Sequence, residues 1–183
     1  MTKEHSPDRL DVKAFAQAGA HMSGHDTLLK YERLAQEGQG LHPDLRVDWS
    51  VDGEIRSTHG LASEIWLHLK ADATLPLTCQ RCLQPVDVLL QVDRAFRFVA
   101  DEATAEALDD ESEEDLLALS REFNLRELLE DELIMALPLV PRHEECPQAV
   151  RLASSDEDFE AANATAPNPF AALANLKIDK PQP

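Results

Sequence analysis

From Leu61 to Leu69 and again from Val86 to Phe98, apolar side chains recur at every second position. This is the repeat of a strand with one buried face. In the first stretch Ser63, Ile65, Leu67 and Leu69 share a face, against Glu64, Trp66, His68 and Lys70. In the second, Val86, Val88, Leu90 and Val92 share a face, and Phe96 and Phe98 keep the same parity. Such stretches stabilise one another only as neighbours in a sheet, so the chain is committed to an antiparallel sheet on one side of a core. Leu45 to Val51 alternates in the same way, and Asp52-Gly53 behind it predicts a hairpin turn with Ile55 starting the return.

Helical signals flank the sheet. Asp26 or Thr27 is placed to cap a helix running to about Gln36, with Leu28, Leu29 and Leu34 inward and Gly38 as its stop. The clearest helix opens after Asn124, where Glu127 completes an Asn-x-x-Glu pattern. Its inward stripe is Leu125, Leu128, Leu129, Leu133 and Ala136, its wet face carries Arg126, Glu127, Glu130, Asp131 and Glu132, and Pro138 ends it. Leu116, Leu117 and Leu119 allow a short strand or a turn of helix. The fold class is therefore α+β: an antiparallel sheet, open or barrel-like, packed against one or two helices. One domain over residues 1–150 is expected, followed over 151–183 by a flexible acidic linker and a short amphipathic segment in which Phe170, Leu173 and Leu176 stand three apart.

Charge narrows the function. The 183 residues hold 17 Lys and Arg against 35 Asp and Glu, a formal net charge of -18. Nucleic-acid affinity comes largely from cations neutralising phosphates, so direct RNA or DNA binding is disfavoured and a basic protein partner is favoured. Residues 101–115 contain nine acids and no base, which predicts a solvated, self-repelling loop. No apolar run is long enough for a membrane span, and the N-terminus does not read as a secretory signal. An odd count of three cysteines, two of them three positions apart, points to a reducing cytoplasm rather than a disulfide framework.

All three cysteines belong to one constellation, Cys79-x-x-Cys82 and His143-x-x-Cys146. A two-residue spacer lets both thiolates turn to one point, and a Cys3His set suits zinc. The competing readings are cysteines packed as small apolar side chains and a thiol redox pair at Cys79 and Cys82. Redox pairs of that spacing usually open a helix, whereas Leu83-Gln84-Pro85 predicts a turn. No Gly-x-Ser-x-Gly elbow, phosphate loop or His-Glu-x-x-His helix is present, and the carboxylates fall in charge runs, so no enzymatic activity is expected.

Three strings, taken together and in order, resemble one family: Leu77-Thr78-Cys79-Gln80-Arg81-Cys82-Leu83, the run from Leu128 to His143, and the run from Asn168 to Lys177. They are similar to the YceD proteins, the bacterial large ribosomal RNA subunit accumulation proteins. The resemblance implies a cytoplasmic factor in synthesis, processing or stability of 23S ribosomal RNA, with no established catalysis and no catalytic residue to assign. In that family the gene often neighbours that of a small basic large-subunit ribosomal protein. Combined with the charge, this predicts action through a basic ribosomal protein or an RNA-processing factor. A zinc-stabilised nucleic-acid-binding module is the alternative, and it lacks the basic stripe such a module needs.

Overall fold

A computed structural model describes residues 5–57 and 63–148, together with Ser154, Asp156, Asp158, Phe159 and Phe170. The chain divides into two units, Met1–Cys146 and Pro147–Pro183. In the second, Asp158 and Phe159 lie in a helical turn, and Phe159 and Phe170 are exposed. The segment carrying Leu173 and Leu176 lies outside the described residues.

The first unit is built on a five-stranded sheet in the order β1-β2-β3-β4-β5: His21–Thr27, Arg46–Arg56, Glu64–Thr78, Pro85–Val99 and Asp115–Ala118. The first four are antiparallel and β5 runs parallel to β4. The sheet is open, which settles the barrel-like alternative. Four short helices accompany it: α1 Val12–Gln17, α2 Glu32–Glu37, α3 Glu102–Asp109 and α4 Leu125–Met135.

The long central pair fulfils the alternation read from the sequence. Ile65, Leu67, Leu69, Ala71, Ala73, Leu75 and Leu77 of β3 face inward, opposite Phe98, Phe96, Arg94, Val92, Leu90, Val88 and Val86 of β4. The same parity carries one step past the end of β3 and buries Cys79 completely. Phe15 of α1 and Leu125, Leu129 and Leu133 of α4 complete this core. At about 1.5–3 kcal/mol for each fully buried large apolar side chain, this face is the main stabilising term.

Three expectations need correction. The hairpin expected at Asp52-Gly53 does not form, because β2 runs straight on and pairs Gly53 with Leu67. A Cβ at Gly53 would lie 2.6 Å from Phe15 and 2.8 Å from the Cα of Ala16, so the glycine admits α1 against the sheet rather than making a turn. The residues beyond remain in register, where Arg56 lies 4.0 Å over the Trp66 ring and Glu54 pairs with His68 at 2.9 Å. Second, the helix expected over Asp26–Gln36 is displaced. His21–Thr27 is an edge strand, followed by a 3-10 turn at Leu28–Lys30 and then α2. Of the three leucines assigned inward, Leu28 and Leu34 are buried but Leu29 is 46% exposed. Third, the acidic stretch 101–115 is largely helix. Asp101 caps α3 by accepting from the Thr104 N–H at 2.9 Å, Ala105 is buried, and all nine acids remain exposed.

Asp26, expected as a cap, is instead the centre of a buried polar cluster. Its carboxylate accepts from Lys30 Nζ at 2.8 Å, Trp49 Nε1 at 2.9 Å, Tyr31 Oη at 3.2 Å and Arg126 Nη1 at 2.7 Å. Gly24 makes room for this, since a Cβ there would sit 2.6 Å from the Trp49 indole. Burial pushes the Asp26 carboxyl up, but the bonds from Lys30, Trp49 and Arg126 and the Arg126 charge outweigh it and hold it at about 2.

Helix α4 starts where its cap requires: the Asn124 side chain accepts from the N–H groups of Arg126 and Glu127 at 3.1 and 3.3 Å. Its polar face is less wet than the pattern implies. Glu130 reaches across to cap α2, accepting from the Arg33 and Leu34 N–H groups at 2.7 and 3.2 Å. Glu132 is only 8% exposed and lies 3.7 Å from Arg94. Burial raises its carboxyl above the usual range, with the Arg94 charge pulling the other way. These bonds fix the end of α4, and so the start of the segment leading to His143.

Candidate metal centre

Two loops meet at the far end of the β3–β4 pair. The first is the connection itself, Cys79 to Gln84, which turns tightly. Cys79 N–H donates to the Gln84 carbonyl at 2.9 Å and Leu83 N–H to the Cys79 carbonyl at 2.8 Å. The turn closes only with Leu83 at φ 60, a left-handed conformation that costs a non-glycine residue about 1–2 kcal/mol. The second loop follows α4, whose end is set by Pro138. It is pinned to the first by Gln80 N–H, which donates to the Pro141 carbonyl at 2.8 Å.

This arrangement brings together all four residues of the sequence constellation. One donor atom from each of Cys79, Cys82, His143 and Cys146 lies within 4.8 Å of every other. Cys79 Sγ and Cys146 Sγ are 4.0 Å apart, and Cys82 Sγ is 3.5 Å from His143 Nδ1. A tetrahedron with Zn–S of about 2.3 Å and Zn–N of about 2.05 Å has edges of about 3.8 Å between sulfurs and about 3.5 Å from sulfur to nitrogen. These two pairs therefore stand close to ligand spacing. The three cysteines are free thiols.

Electrostatics prepares the sulfurs unequally. Burial pushes the Cys79 thiol up, but N–H groups of His143, Cys82 and Arg81 point at its sulfur, with the Cys82 thiol adding to them. Together they hold it at about 5. Burial, and then the neighbouring Cys146 and Cys79 sulfurs, push the Cys82 thiol above its ordinary value. Clustered thiolates repel, and a cation removes that repulsion. The pair does not open a helix, so it lacks the dipole on which thiol redox sites of this spacing rely.

The family model described as "Large ribosomal RNA subunit accumulation protein YceD" matches residues 67–177. The chain is 30% identical over 182 residues to the Haemophilus influenzae protein of the same description, covering 97% of this chain and 99% of that one. The chain belongs to the YceD family. No solved structure matches it significantly. The YceD match takes in both halves of the sulfur cluster, the acidic helix α3 and α4.

Sequence reasoning found the four donors and missed Arg81, which lies between Cys79 and Cys82. Its Nε donates to Cys146 Sγ at 3.0 Å, and its Nη2 donates to the carbonyls of His143 and Glu144 at 2.8 and 3.0 Å. A cation inside a Cys-x-x-Cys pair of so acidic a chain was the available signal. Among the described residues no helix is long and apolar enough to cross a membrane.

Proposed function

We propose that this protein is a non-catalytic cytoplasmic factor for accumulation of the large-subunit ribosomal RNA, acting through a basic protein. Its membership of a family described by that role, across nearly the whole length of a relative, is the observation that carries the reading. The choice of a protein over RNA rests on charge. Arg9, Lys30, Arg33, Arg56, Lys70, Arg94, Arg97 and Arg126 are each already ion-paired with an Asp or Glu of the same chain. Cations engaged in this way are not free to neutralise phosphates. By contrast, the eight acids of 101–114 stand exposed in one block, a field that attracts a basic ribosomal protein or processing factor.

The test is a binding comparison. Tagged protein is offered purified large-subunit ribosomal proteins and, separately, protein-free 23S ribosomal RNA. Salt-sensitive retention of a basic protein, weakened when the acids of 106–114 are replaced by Asn and Gln, is expected. Retention of bare RNA alone, unchanged by protease, contradicts the reading. Loss of the gene with normal large-subunit levels contradicts it at the level of the family role.

We infer further that Cys79, Cys82, His143 and Cys146 hold zinc as a structural clasp. The spacings of 4.0 and 3.5 Å support this, as do four protein donors, a set that leaves no open position for substrate. The clasp would tie the β3–β4 turn to the end of α4. Alkylation of the native protein tests it: Cys82 and Cys146, the two thiols the fold leaves partly exposed, should be protected until a chelator is added. Immediate modification of Cys82 and Cys146 counts against the metal.

A further inference from the structure

The clasp has a charge problem that its four ligands do not solve. Three thiolates and a neutral imidazole around a divalent ion leave one net negative charge. The surroundings make it worse, since exposed Glu144 and Glu145 separate His143 from Cys146 within a chain of net charge -18. An uncompensated anionic centre in such a field favours loss of a ligand by protonation over capture of a metal.

Arg81 supplies the missing charge at the needed place. It lies in the first loop, yet all three of its described bonds reach the second, to Cys146 Sγ at 3.0 Å and to the carbonyls of His143 and Glu144 at 2.8 and 3.0 Å. The guanidinium is planar and forked, so one side chain can hold a sulfur and two carbonyls at once, which a lysine ammonium on a flexible stem does less well. The two carbonyls fix the backbone that carries two of the four ligands, His143 and Cys146. The sulfur bond orients a ligand that, unlike the core-anchored Cys79, is only partly buried.

Resting on the zinc reading above, we propose that Arg81 is the positioning residue of the metal centre. It neutralises the Cys3His–metal unit and holds its second half in ligand geometry. An exposed ion pair alone contributes little, so the geometric role should be separable from the charge. Outer-sphere partners of metal ligands typically contribute about 10- to 100-fold in affinity.

The experiment is a cobalt titration of the full chain, followed by zinc competition, read from the visible d–d bands of tetrahedral cobalt. Wild type, Arg81→Ala, Arg81→Lys and Arg142→Ala are compared, Arg142 being an exposed cation next to His143. Arg81→Ala should bind one equivalent about 10- to 100-fold more weakly, with Arg81→Lys between it and wild type and Arg142→Ala unchanged. Thermal melts of the metal-free proteins establish that Arg81→Ala folds as wild type does. Wild-type affinity in Arg81→Ala, or an equal loss in Arg142→Ala, overturns the role of Arg81 and leaves the zinc site standing. A wild type that takes up no metal overturns both.

Discussion

Two polar clusters join distant parts of this chain, and they are made in opposite ways. Around Asp26 a single carboxylate is met by donors from Lys30, Tyr31, Trp49 and Arg126, linking β1 and β2 to α4. Around Cys79 three sulfurs and an imidazole converge with one arginine among them. The first cluster is complete within the chain, with hydrogen-bond donors and opposite charge both supplied. The second gathers four soft donors beside one arginine, two pairs of them at metal-ligand spacing. A buried charge completed by its own chain holds the fold together, whereas converging soft donors are suited to an ion brought from outside.

The contrast breaks most readily at the sulfur cluster. Removing metal with a chelator, or replacing Cys146 with Ser, should cost the full binding contribution. That is about 4 kcal/mol when free zinc stands a thousandfold above its dissociation constant, seen as a fall in unfolding temperature. Equal melting with and without chelator would show that the cluster, like Asp26, needs nothing added.

Asp26→Ala should cost about 3–5 kcal/mol in urea unfolding, because it strands the partly buried Arg126 and the indole N–H of Trp49. That loss should be the same with and without metal, since independent clusters add. The pH dependence follows from a depressed carboxyl. With the folded group at about 2 and the ordinary value at 3.8, its stabilisation is present above about pH 4 and fades as pH falls toward 2. The Asp26→Asn variant should lose that acid-dependent part, and an unchanged profile would remove Asp26 from the centre of its cluster.

Smaller effects sharpen the frame that holds the two clusters. Gly53→Ala should cost about 1–3 kcal/mol by forcing α1 off β2. A neutral result would show that α1 does not need the space the glycine leaves. Leu83→Gly should raise the stability of the metal-free protein by up to about 1 kcal/mol by relieving the left-handed backbone of the turn at the sulfur cluster.

Much of this was legible in the sequence, and what was not has physical causes. The β3–β4 pair could be read because each strand buries one face, so its period of two is written in side chains such as Leu67 and Phe96. Strand β1 could not, since His-Met-Ser-Gly-His-Asp-Thr is an edge strand with almost no apolar side chains of its own to show the alternation. His21 pairs there with Asp52, and His25 with Asp48. Gly53 reads as a turn by type, and only the helix above it shows why it is glycine. The four candidate donors could be named from spacing within each half. Their meeting depends on where α4 ends and where the Cys79 turn points, and neither is encoded in the local pattern of either half.

Native mass spectrometry of tag-free protein, purified without chelator, tests the central claim most directly. One zinc per chain is expected, lost on treatment with a chelator together with protection of Cys82 and Cys146. A metal-free mass, with Cys82 and Cys146 open to alkylation in the native protein, would contradict it.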